Sequence, residues 1–520
     1  MGAFQRFREL LGKTPDWVLV IALMLYFLSI TILRSSPWLD IGTEFSFGMA
    51  LAWGVLPLLI GLIRGTPSAI SAGFILACLG PYNLTSVILA FLLGTGMGIA
   101  TLIQHRSEMR LLLTMELWRR GFGYILAVTA YAFLVWVIRL GDSTDGWSFL
   151  AMASSLLTIP FAVYSLSYLE WDSKEARRFA ALMGWIVAAL MITVLAYPLL
   201  AGEFEQYTQA FYILYKTGEL VFDMPFEMAW IDPDYNWGSV SSSHYLAALM
   251  LFAAAAFCYL ALRGKRRMLM FSTAAIALYC YALGENAHII PGVLLGLALV
   301  LLWQIAERFS LRPGALSATM ITGVVVATFG LIAGLYSTGA LYGDSQKAKL
   351  YSAASEYIQT QPGRALLGEG PASFASRAAN KRVPTSIMQL EYDFIPPIPE
   401  YVSPKFERAL QSSANAVGGS TMEMPVSGLA GIVIEWGFAG TLLLLGVLWL
   451  LLKQLFGAYR RVEDRYVRAL AVSGIFAFVV LTVSLSVRTY FEYTELTSVA
   501  AMLIMVPIAA SRKEAEKGTF

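Results

Sequence analysis

Residues 426–452 read VSGLAGIVIEWGFAGTLLLLGVLWLLL, an apolar run with one charged side chain, Glu435. A bilayer is crossed by a helix of about 20 predominantly apolar residues, and this run is long enough. Basic residues follow it, first Lys453 and then Arg460 and Arg461. An apolar run that ends in cations is typical of a transmembrane helix whose end faces the cytoplasm.

Similar runs recur along the whole chain. Hydrophobic residues make up 58% of the sequence and charged residues 14%, against about 25% charged in a typical soluble domain. We therefore predict an all-α polytopic membrane protein of about 14 transmembrane helices. The predicted spans are 17–33, 45–63, 67–81, 84–104, 121–138, 148–168, 179–200, 243–262, 268–284, 290–306, 315–341, 426–452, 467–487 and 495–511. Gly80, Pro81 and Asn83 leave a re-entrant pair as an alternative for the third and fourth spans.

The placement of basic residues predicts the orientation. With both termini in the cytoplasm, the short loops on the cytoplasmic side hold most of the 37 Lys and Arg residues. The first apolar run, 17–33, has no small-residue cleavage site after it, so we interpret it as a retained span and not as a signal peptide.

Composition also argues against several classes of function. A net charge of +2 gives no indication of nucleic-acid binding. The three cysteines, Cys78, Cys258 and Cys280, all lie in apolar runs, so the loops offer no disulfide framework. Their spacing suits no metal site, and we predict neither a metal nor another cofactor.

The predicted orientation divides the chain into five segments. They are spans one to seven (1–200), a first large outer loop (201–242), spans eight to eleven (243–342), the main outer loop (343–425), and spans twelve to fourteen with a cytoplasmic tail (426–520). Transporters usually keep outer loops short and place their sites at the bilayer midplane. The concentration of polar residues in two outer loops favours a site outside the membrane.

The first outer loop is acidic and rich in aromatic residues, with Trp237 near its end. Aromatic faces stack on sugar rings and carboxylates accept hydrogen bonds from hydroxyls, which would suit a glycan. An interfacial helix in the aromatic belt of the membrane is the alternative interpretation.

The main outer loop begins with a predicted helix. Its apolar positions have helical spacing, at Leu350, Ala353, Ala354, Tyr357 and Ile358. Asp344 or Ser345 would cap this helix, and Pro362-Gly363 would stop it.

Basic residues follow that helix, beginning with Arg364 and continuing with Arg377, Lys381 and Arg382. Guanidinium groups match phosphate oxygens in a bidentate manner, and glycines nearby let backbone N–H groups approach an anion. A basic group just outside a bilayer would thus fit a lipid diphosphate. Attraction to lipid headgroups, or ordinary solvation of a loop, is the alternative.

The order of these features resembles the O-antigen ligase and Wzy-type polysaccharide polymerase superfamily, a group of integral membrane glycosyltransferases. The resemblance rests on three short motifs that cover about 238–445. They are Leu-Leu-Gly-Glu-Gly-Pro-Ala-Ser-Phe at 366–374, Glu-Trp-Gly-Phe-Ala-Gly at 435–440, and Gly-Ser-Val-Ser-Ser-Ser-His at 238–244.

The resemblance implies glycan transfer from an undecaprenyl-diphosphate-linked donor to a glycan or lipid acceptor, on the periplasmic side of the bacterial inner membrane. Membrane lipids and the polysaccharide export and chain-length machinery would be further partners. Cations must hold the diphosphate as negative charge develops on it. The candidates are Arg364, Arg377, Lys381, Arg382 and Arg488.

A base must also take the proton of the acceptor hydroxyl. The candidates are Glu369, Glu423 and His288, of which Glu369 lies between two glycines, where a side chain can be presented without crowding. Further substrate contacts are expected at Trp237, His244 and Glu435.

The alternatives for Glu435 are a cap and a pair with Arg488. His244 could instead begin its helix, and Arg488 could be a membrane anchor.

The chain also departs from the superfamily pattern. The superfamily's ligases carry a histidine before the span with the Glu-x-Gly motif, where this chain has only Glu423 and Ser427 nearby. An arginine that often follows span nine is replaced here by Gly-Glu-Asn-Ala-His at 284–288. A polymerase or a divergent relative is therefore favoured over a lipid A ligase.

Three other functions stay open. A lipid-phosphate-sugar glycosyltransferase could use Asp40 and Glu44 between spans one and two, although that loop is short. A lipid-linked sugar flippase or transporter predicts charges within the spans and a repeat between the halves, and we find neither. A scaffold of an export complex could use the main loop as a docking surface.

Overall fold

The fold comes from a computed structural model. It describes residues 56–78, 96, 122–152, 158–167, 169–192, 194–195, 243–264, 266–282, 292–298, 303, 312–337, 346–376, 379, 427–485 and 494–517. The regular structure of these residues is helical, and their one strand-like feature is an isolated bridge between Leu140 and Thr144. The described part of the chain is thus all-α.

Further helical residues lie at 56–64, 173–192 and 292–298, and the helices used below are numbered in chain order. They are α1 (Pro67–Cys78), α2 (Phe122–Ile138), α3 (Gly146–Met152), α4 (Thr158–Ser167), α5 (Ser243–Arg263), α6 (Arg267–Ala282), α7 (Pro313–Ser337), α8 (Gln346–Thr360), α9 (Pro362–Leu367), α10 (Gly428–Glu435), α11 (Gly437–Arg461), α12 (Arg465–Ser484) and α13 (Thr494–Lys517).

Four described helices are long and apolar enough to cross a membrane. The segments are Pro313–Gly330 in α7, Gly437–Arg461 in α11, Arg465–Ser484 in α12 and Leu496–Glu514 in α13. Shorter apolar helices lie at Pro67–Cys78, Ala127–Ile138, Ala248–Arg263 and Arg267–Tyr281. The described helices therefore include segments with the length and apolar composition of membrane-spanning helices. The number of spans and the side that each end faces stay predictions.

Helix α12 is the most enclosed of the four long helices. It packs against α5 on one side and against α13 and α11 on others, and its apolar residues are buried almost without interruption from Val467 to Leu485. Helices α7 and α11 instead leave large apolar side chains exposed, including Phe329 and Leu442. Such side chains suit a lipid environment, since apolar surface in water is unfavourable.

Contacts between helix ends fall into two groups, one for each predicted side of the membrane. Ser68 donates to Glu175 at 2.5 Å, and Lys513 pairs with Glu170 at 3.0 Å; all four residues fall at predicted cytoplasmic ends. At the opposite end, the backbone N–H of Leu429 donates to the carbonyl of Leu485 at 2.9 Å. Each contact joins segments that the predicted spans assign to one side.

The predicted span 426–452 is not one helix. It breaks into α10 and α11 at Trp436, and Gly437 takes a left-handed backbone conformation with φ of +66°. A Cβ atom on Gly437 would lie 2.5 Å from the backbone nitrogen of Gly368. The break is thus stabilised by a loop that packs directly against the backbone, and the long apolar helix begins at Gly437 and not at the predicted residue 426.

Helix α8 confirms the predicted amphipathic helix of the main outer loop. Its apolar face is buried at Leu350, Ala353, Ala354 and Tyr357. The helix ends at Thr360, and Pro362 then starts the short helix α9 instead of opening an irregular segment. The predicted capping residues 344 and 345 lie outside the described residues.

Candidate functional site

The site is built on a Gly-Glu-Gly turn at residues 368–370. Both glycines have positive φ values, +94° at Gly368 and +92° at Gly370, in a region that favours glycine. The N–H of Glu369 donates to the carbonyl of Ile434 at 3.0 Å, and that of Gly370 donates to the carbonyl of Glu435 at 2.8 Å. The turn is therefore fixed to the end of α10.

Glu369 and Arg364 form a bidentate ion pair inside this turn. The guanidinium donates from Nε to Oε1 and from Nη2 to Oε2 of Glu369, each at 2.5 Å. The Glu369 side chain is 0% exposed, whereas that of Arg364 is 28% exposed. One end of the guanidinium is thus buried with its carboxylate, and part of it reaches the surface.

Tyr357 completes the buried side of the pair. Its hydroxyl donates to Oε1 of Glu369, and the same residue contributes its ring to the apolar face of α8. Because a buried carboxylate needs several donors, Tyr357 and Arg364 together supply what the apolar surroundings cannot.

Asp142 lies on the exposed side of the pair. Its Oδ2 atom lies 2.8 Å from Nη2 of Arg364, and its side chain is 51% exposed. Arg364 therefore lies between a fully buried carboxylate and a half-exposed one. We call Asp142, Tyr357, Arg364 and Glu369 the acid–arginine cluster.

The loop between α2 and α3, residues 139–145, holds Asp142 in this position. Ser143 Oγ donates to the carbonyl of Glu369 at 2.6 Å, and Arg139 Nε donates to the carbonyl of Gly368 at 3.0 Å. Three successive N–H groups of the loop, those of residues 142–144, donate to the Arg139 carbonyl. The loop is a tight turn that is docked on the Gly-Glu-Gly turn.

These contacts shift the pKa of each buried partner. Burial acts to raise the pKa of Glu369, but the hydrogen bonds from Arg364 and Tyr357 and the charge of Arg364 outweigh it, and the pKa falls below its usual range. Burial and the adjacent Glu369 raise the pKa of the Tyr357 hydroxyl. The hydrogen bond to Glu369 raises the pKa of Arg364. Glu369 is therefore ionised and weakly basic.

Glu435 is a second buried carboxylate close to the same turn. It is 3% exposed, and its oxygens accept four backbone N–H groups of the following loop. These come from Ala372 at 2.8 Å, Phe374 at 3.0 Å, and Ala375 and Ser376 at 3.1 Å. Glu435 fixes the loop 372–376 to α10 and has no exposed surface for a substrate.

Exposed apolar side chains lie close in sequence to the segments that form the acid–arginine cluster. Leu140 lies two residues before Asp142, Leu366 two residues after Arg364, and Phe438 is in the first turn of α11; all three are exposed, Leu366 by 56%. Polar groups beside exposed apolar surface suit an amphipathic ligand such as a lipid with a charged headgroup.

The structure corrects two expectations for the predicted site residues. Glu369 is not presented openly, because it is buried and bonded to Arg364 and Tyr357. Glu435 is a cap of the loop backbone and not a substrate contact, which agrees with one of the two alternatives held for it. Arg364 is brought to the site, but between two carboxylates, so its action on a diphosphate stays a prediction.

The other predicted residues cannot be assigned to the site. Those that lie outside the described residues are Glu423, His288, Arg377, Lys381, Arg382, Arg488 and Trp237. His244 is in the first turn of α5, and its side chain lies outside what the structure describes.

Sequence reasoning missed Asp142 and the partners that hold it. The loop reads Arg-Leu-Gly-Asp-Ser-Thr-Asp at 139–145, a short polar segment between two predicted spans. Two acids and an arginine in a short polar loop are a signal of interest, but nothing in the sequence links them to a turn more than two hundred residues later.

Comparisons of the chain with protein-family models, with curated proteins and with solved structures give no match. The resemblance to the O-antigen ligase and Wzy-type superfamily therefore stays an expectation from the order of short motifs.

Proposed function

We propose that the protein is a glycosyltransferase of the bacterial inner membrane, which transfers glycan from an undecaprenyl-diphosphate donor to an acceptor hydroxyl on the periplasmic side. The supporting observation is the acid–arginine cluster beside exposed apolar side chains. Its four side chains come from two segments far apart in the chain, at 142 and 357–369, and the end of α10 holds the Gly-Glu-Gly turn from a third. All of these segments belong to the predicted outer side. A site that combines carboxylates with apolar surface suits a lipid-linked sugar.

The charges of the cluster refine how the donor would bind. Two carboxylates surround the one guanidinium of Arg364, so the cluster carries an excess of negative charge. An anion at this point would be repelled by Asp142 and Glu369. The diphosphate therefore needs the other predicted cations, Arg377, Lys381, Arg382 and Arg488, and Arg364 contributes by orienting its carboxylates.

Deletion of the gene in the native bacterium tests the reaction class. We expect loss of the polysaccharide and accumulation of short lipid-diphosphate glycans on the outer face of the membrane. Periodate oxidation of intact spheroplasts measures the outer fraction, since the reagent reaches only sugars on that face. Units that accumulate on the inner face would indicate a flippase, and a normal polymer that stays in the cell would indicate an export scaffold.

Replacement of a predicted diphosphate ligand tests the binding assignment. Arg377→Ala should abolish polymer at near-normal protein level, because one of the cations that hold the leaving group is lost. Lys349→Ala is the matched control, since it removes a cation of the same loop from helix α8, outside the basic group. Full-length polymer from Arg377→Ala would remove Arg377 from the diphosphate site.

A further inference from the structure

Asp142 differs from every other acid of the site in its access to substrate. Glu369 and Glu435 are both enclosed, the first by Arg364 and Tyr357 and the second by backbone N–H groups. Asp142 shares the guanidinium of Arg364 but leaves half of its side chain exposed. It is the one described carboxylate of this cluster that a bound hydroxyl could contact without breaking a buried ion pair.

The position of Asp142 is fixed from two sides. Its loop is docked by Ser143 on the Glu369 carbonyl and by Arg139 on the Gly368 carbonyl. Its carboxylate is held by Arg364, which Glu369 orients in turn through two parallel hydrogen bonds. A general base needs this combination of exposure and fixed geometry, because it must lie within hydrogen-bond reach of the proton that it takes.

We propose that Asp142 is the general base that takes the proton of the acceptor hydroxyl, and that Arg364 and Glu369 are positioning residues for it. This inference rests on the proposed function, since it names the base of the same transfer. Asp142 replaces Glu369 as the candidate general base, because the Glu369 side chain has no exposed surface and its oxygens already accept hydrogen bonds.

The proposed step is a single displacement. The acceptor oxygen forms a bond to the anomeric carbon of the donor sugar, and its proton passes to the Asp142 carboxylate. The bond between the anomeric carbon and the diphosphate oxygen breaks, and its electron pair leaves with undecaprenyl diphosphate. No oxidant, reductant or metal is needed for this balance.

The exposed side of Asp142 also indicates where the acceptor binds. Leu140 lies two residues before Asp142, Leu366 lies two residues after its partner Arg364, and both leucine side chains are exposed. Apolar surface beside a base would support the lipid end or the apolar face of a sugar acceptor. The acceptor hydroxyl would therefore approach from the surface between the α2–α3 loop and α9.

The test combines polymer output in the gene-deleted bacterium with binding by purified full-length protein. Asp142→Asn keeps the shape of the side chain and removes the base. We expect polymer synthesis to fall by about 10²–10⁴-fold, the usual contribution of a general base. Binding of undecaprenyl diphosphate, measured by native mass spectrometry, should stay within about threefold, a difference of less than 1 kcal/mol.

Two variants control for charge and for loop structure. Asp145→Asn removes a carboxylate from the same loop, where Asp145 caps α3 by accepting from the N–H of Ser148 at 3.0 Å. Asparagine caps helices equally well, so polymer should be unchanged. Asp142→Glu retains a carboxylate and should keep more polymer synthesis than Asp142→Asn.

Each outcome decides the inference. Near-normal polymer from Asp142→Asn, or more polymer from it than from Asp142→Glu, would show that this position does not supply a base. If Asp142→Asn loses both undecaprenyl diphosphate binding and polymer synthesis, Asp142 is a binding residue and the proposal is overturned. If deletion of the gene leaves the polysaccharide unchanged, the proposed function itself fails, which is a distinct result.

Discussion

Two buried carboxylates, Glu369 of the Gly-Glu-Gly turn and Glu435 at the end of α10, lie in segments that pack against each other and are satisfied in opposite ways. Glu435 is held by backbone N–H groups alone, whereas Glu369 is held by the side chains of Arg364 and Tyr357. Backbone donors cannot move without unfolding the loop. Side-chain donors extend the contact to a half-exposed group, Asp142. We infer that the first carboxylate maintains the architecture and the second organises chemistry.

The largest expected effect is the loss of Glu435. Glu435→Ala would leave four buried N–H groups without an acceptor, and each such group costs about 1–3 kcal/mol. We expect the free energy of unfolding to fall by more than about 3 kcal/mol, with little protein left in the membrane. Thermal unfolding of purified protein in detergent measures this, alongside protein level in membranes.

Glu463→Ala is the matched control, because Glu463 is an exposed acid in the connection that follows the opposite end of α11. Its unfolding temperature should equal that of the wild type. A Glu435→Ala protein that unfolds at the wild-type temperature would mean that loop 372–376 does not depend on this carboxylate. The contrast between the two acids would then disappear.

A smaller and pH-dependent effect is expected at Glu369. Its pKa in the folded protein is lowered by Arg364 and Tyr357 against the effect of burial, so it contributes stability above the unfolded pKa of about 4.3. That contribution is lost as the pH falls through the lower folded value. Glu369→Gln should therefore lower the unfolding temperature at pH 7 and reduce the free energy of unfolding by about 1.5–3 kcal/mol, the usual contribution of hydrogen bonds to a charged group.

The difference in unfolding temperature between Glu369→Gln and the wild type should become smaller as the pH falls below about 4. Thermal scans of both proteins over a pH series measure it. A difference that stays constant with pH would show that the loss comes from packing and not from the charge of Glu369. The same series on Asp145→Asn controls for general acid effects on the fold.

The helical parts of this region were predictable from local pattern. The buried face of α8 follows from apolar residues at helical spacing, and Leu350 and Tyr357 are buried as that spacing requires. The apolar content of α11 and α12 alone indicates membrane-type helices. Local pattern was sufficient here because the spacing or the apolar content that indicates each helix lies within the residues of that helix.

The break at Gly437 and the role of Asp142 were not predictable in this way. A Cβ atom on Gly437 would meet the backbone of Leu367 and Gly368, so the break depends on a loop from another part of the chain. Asp142 acquires its partner only when the α2–α3 loop docks on the Gly-Glu-Gly turn. Both features are tertiary, and a single sequence carries no periodic signal for either.

The smallest expected effect tests whether the two carboxylate regions are linked. The Tyr131 hydroxyl of α2 shares its one proton between the carbonyl of Leu367, at 2.8 Å, and that of Trp436, at 2.9 Å. The first carbonyl precedes the Glu369 turn and the second follows Glu435. Tyr131→Phe removes both bonds and keeps the ring, so we expect the free energy of unfolding to fall by about 1 kcal/mol.

Polymer synthesis by Tyr131→Phe should stay near the wild-type level, because Asp142 keeps its contact with Arg364 and its loop keeps the hydrogen bonds of Ser143 and Arg139. Denaturant unfolding and polymer length, measured on the same variant, separate the two effects. If polymer is lost while stability is unchanged, the alignment of α2 with the turn serves the reaction directly. The chemistry would then depend on the architecture around Glu435, and the two regions would be one functional unit.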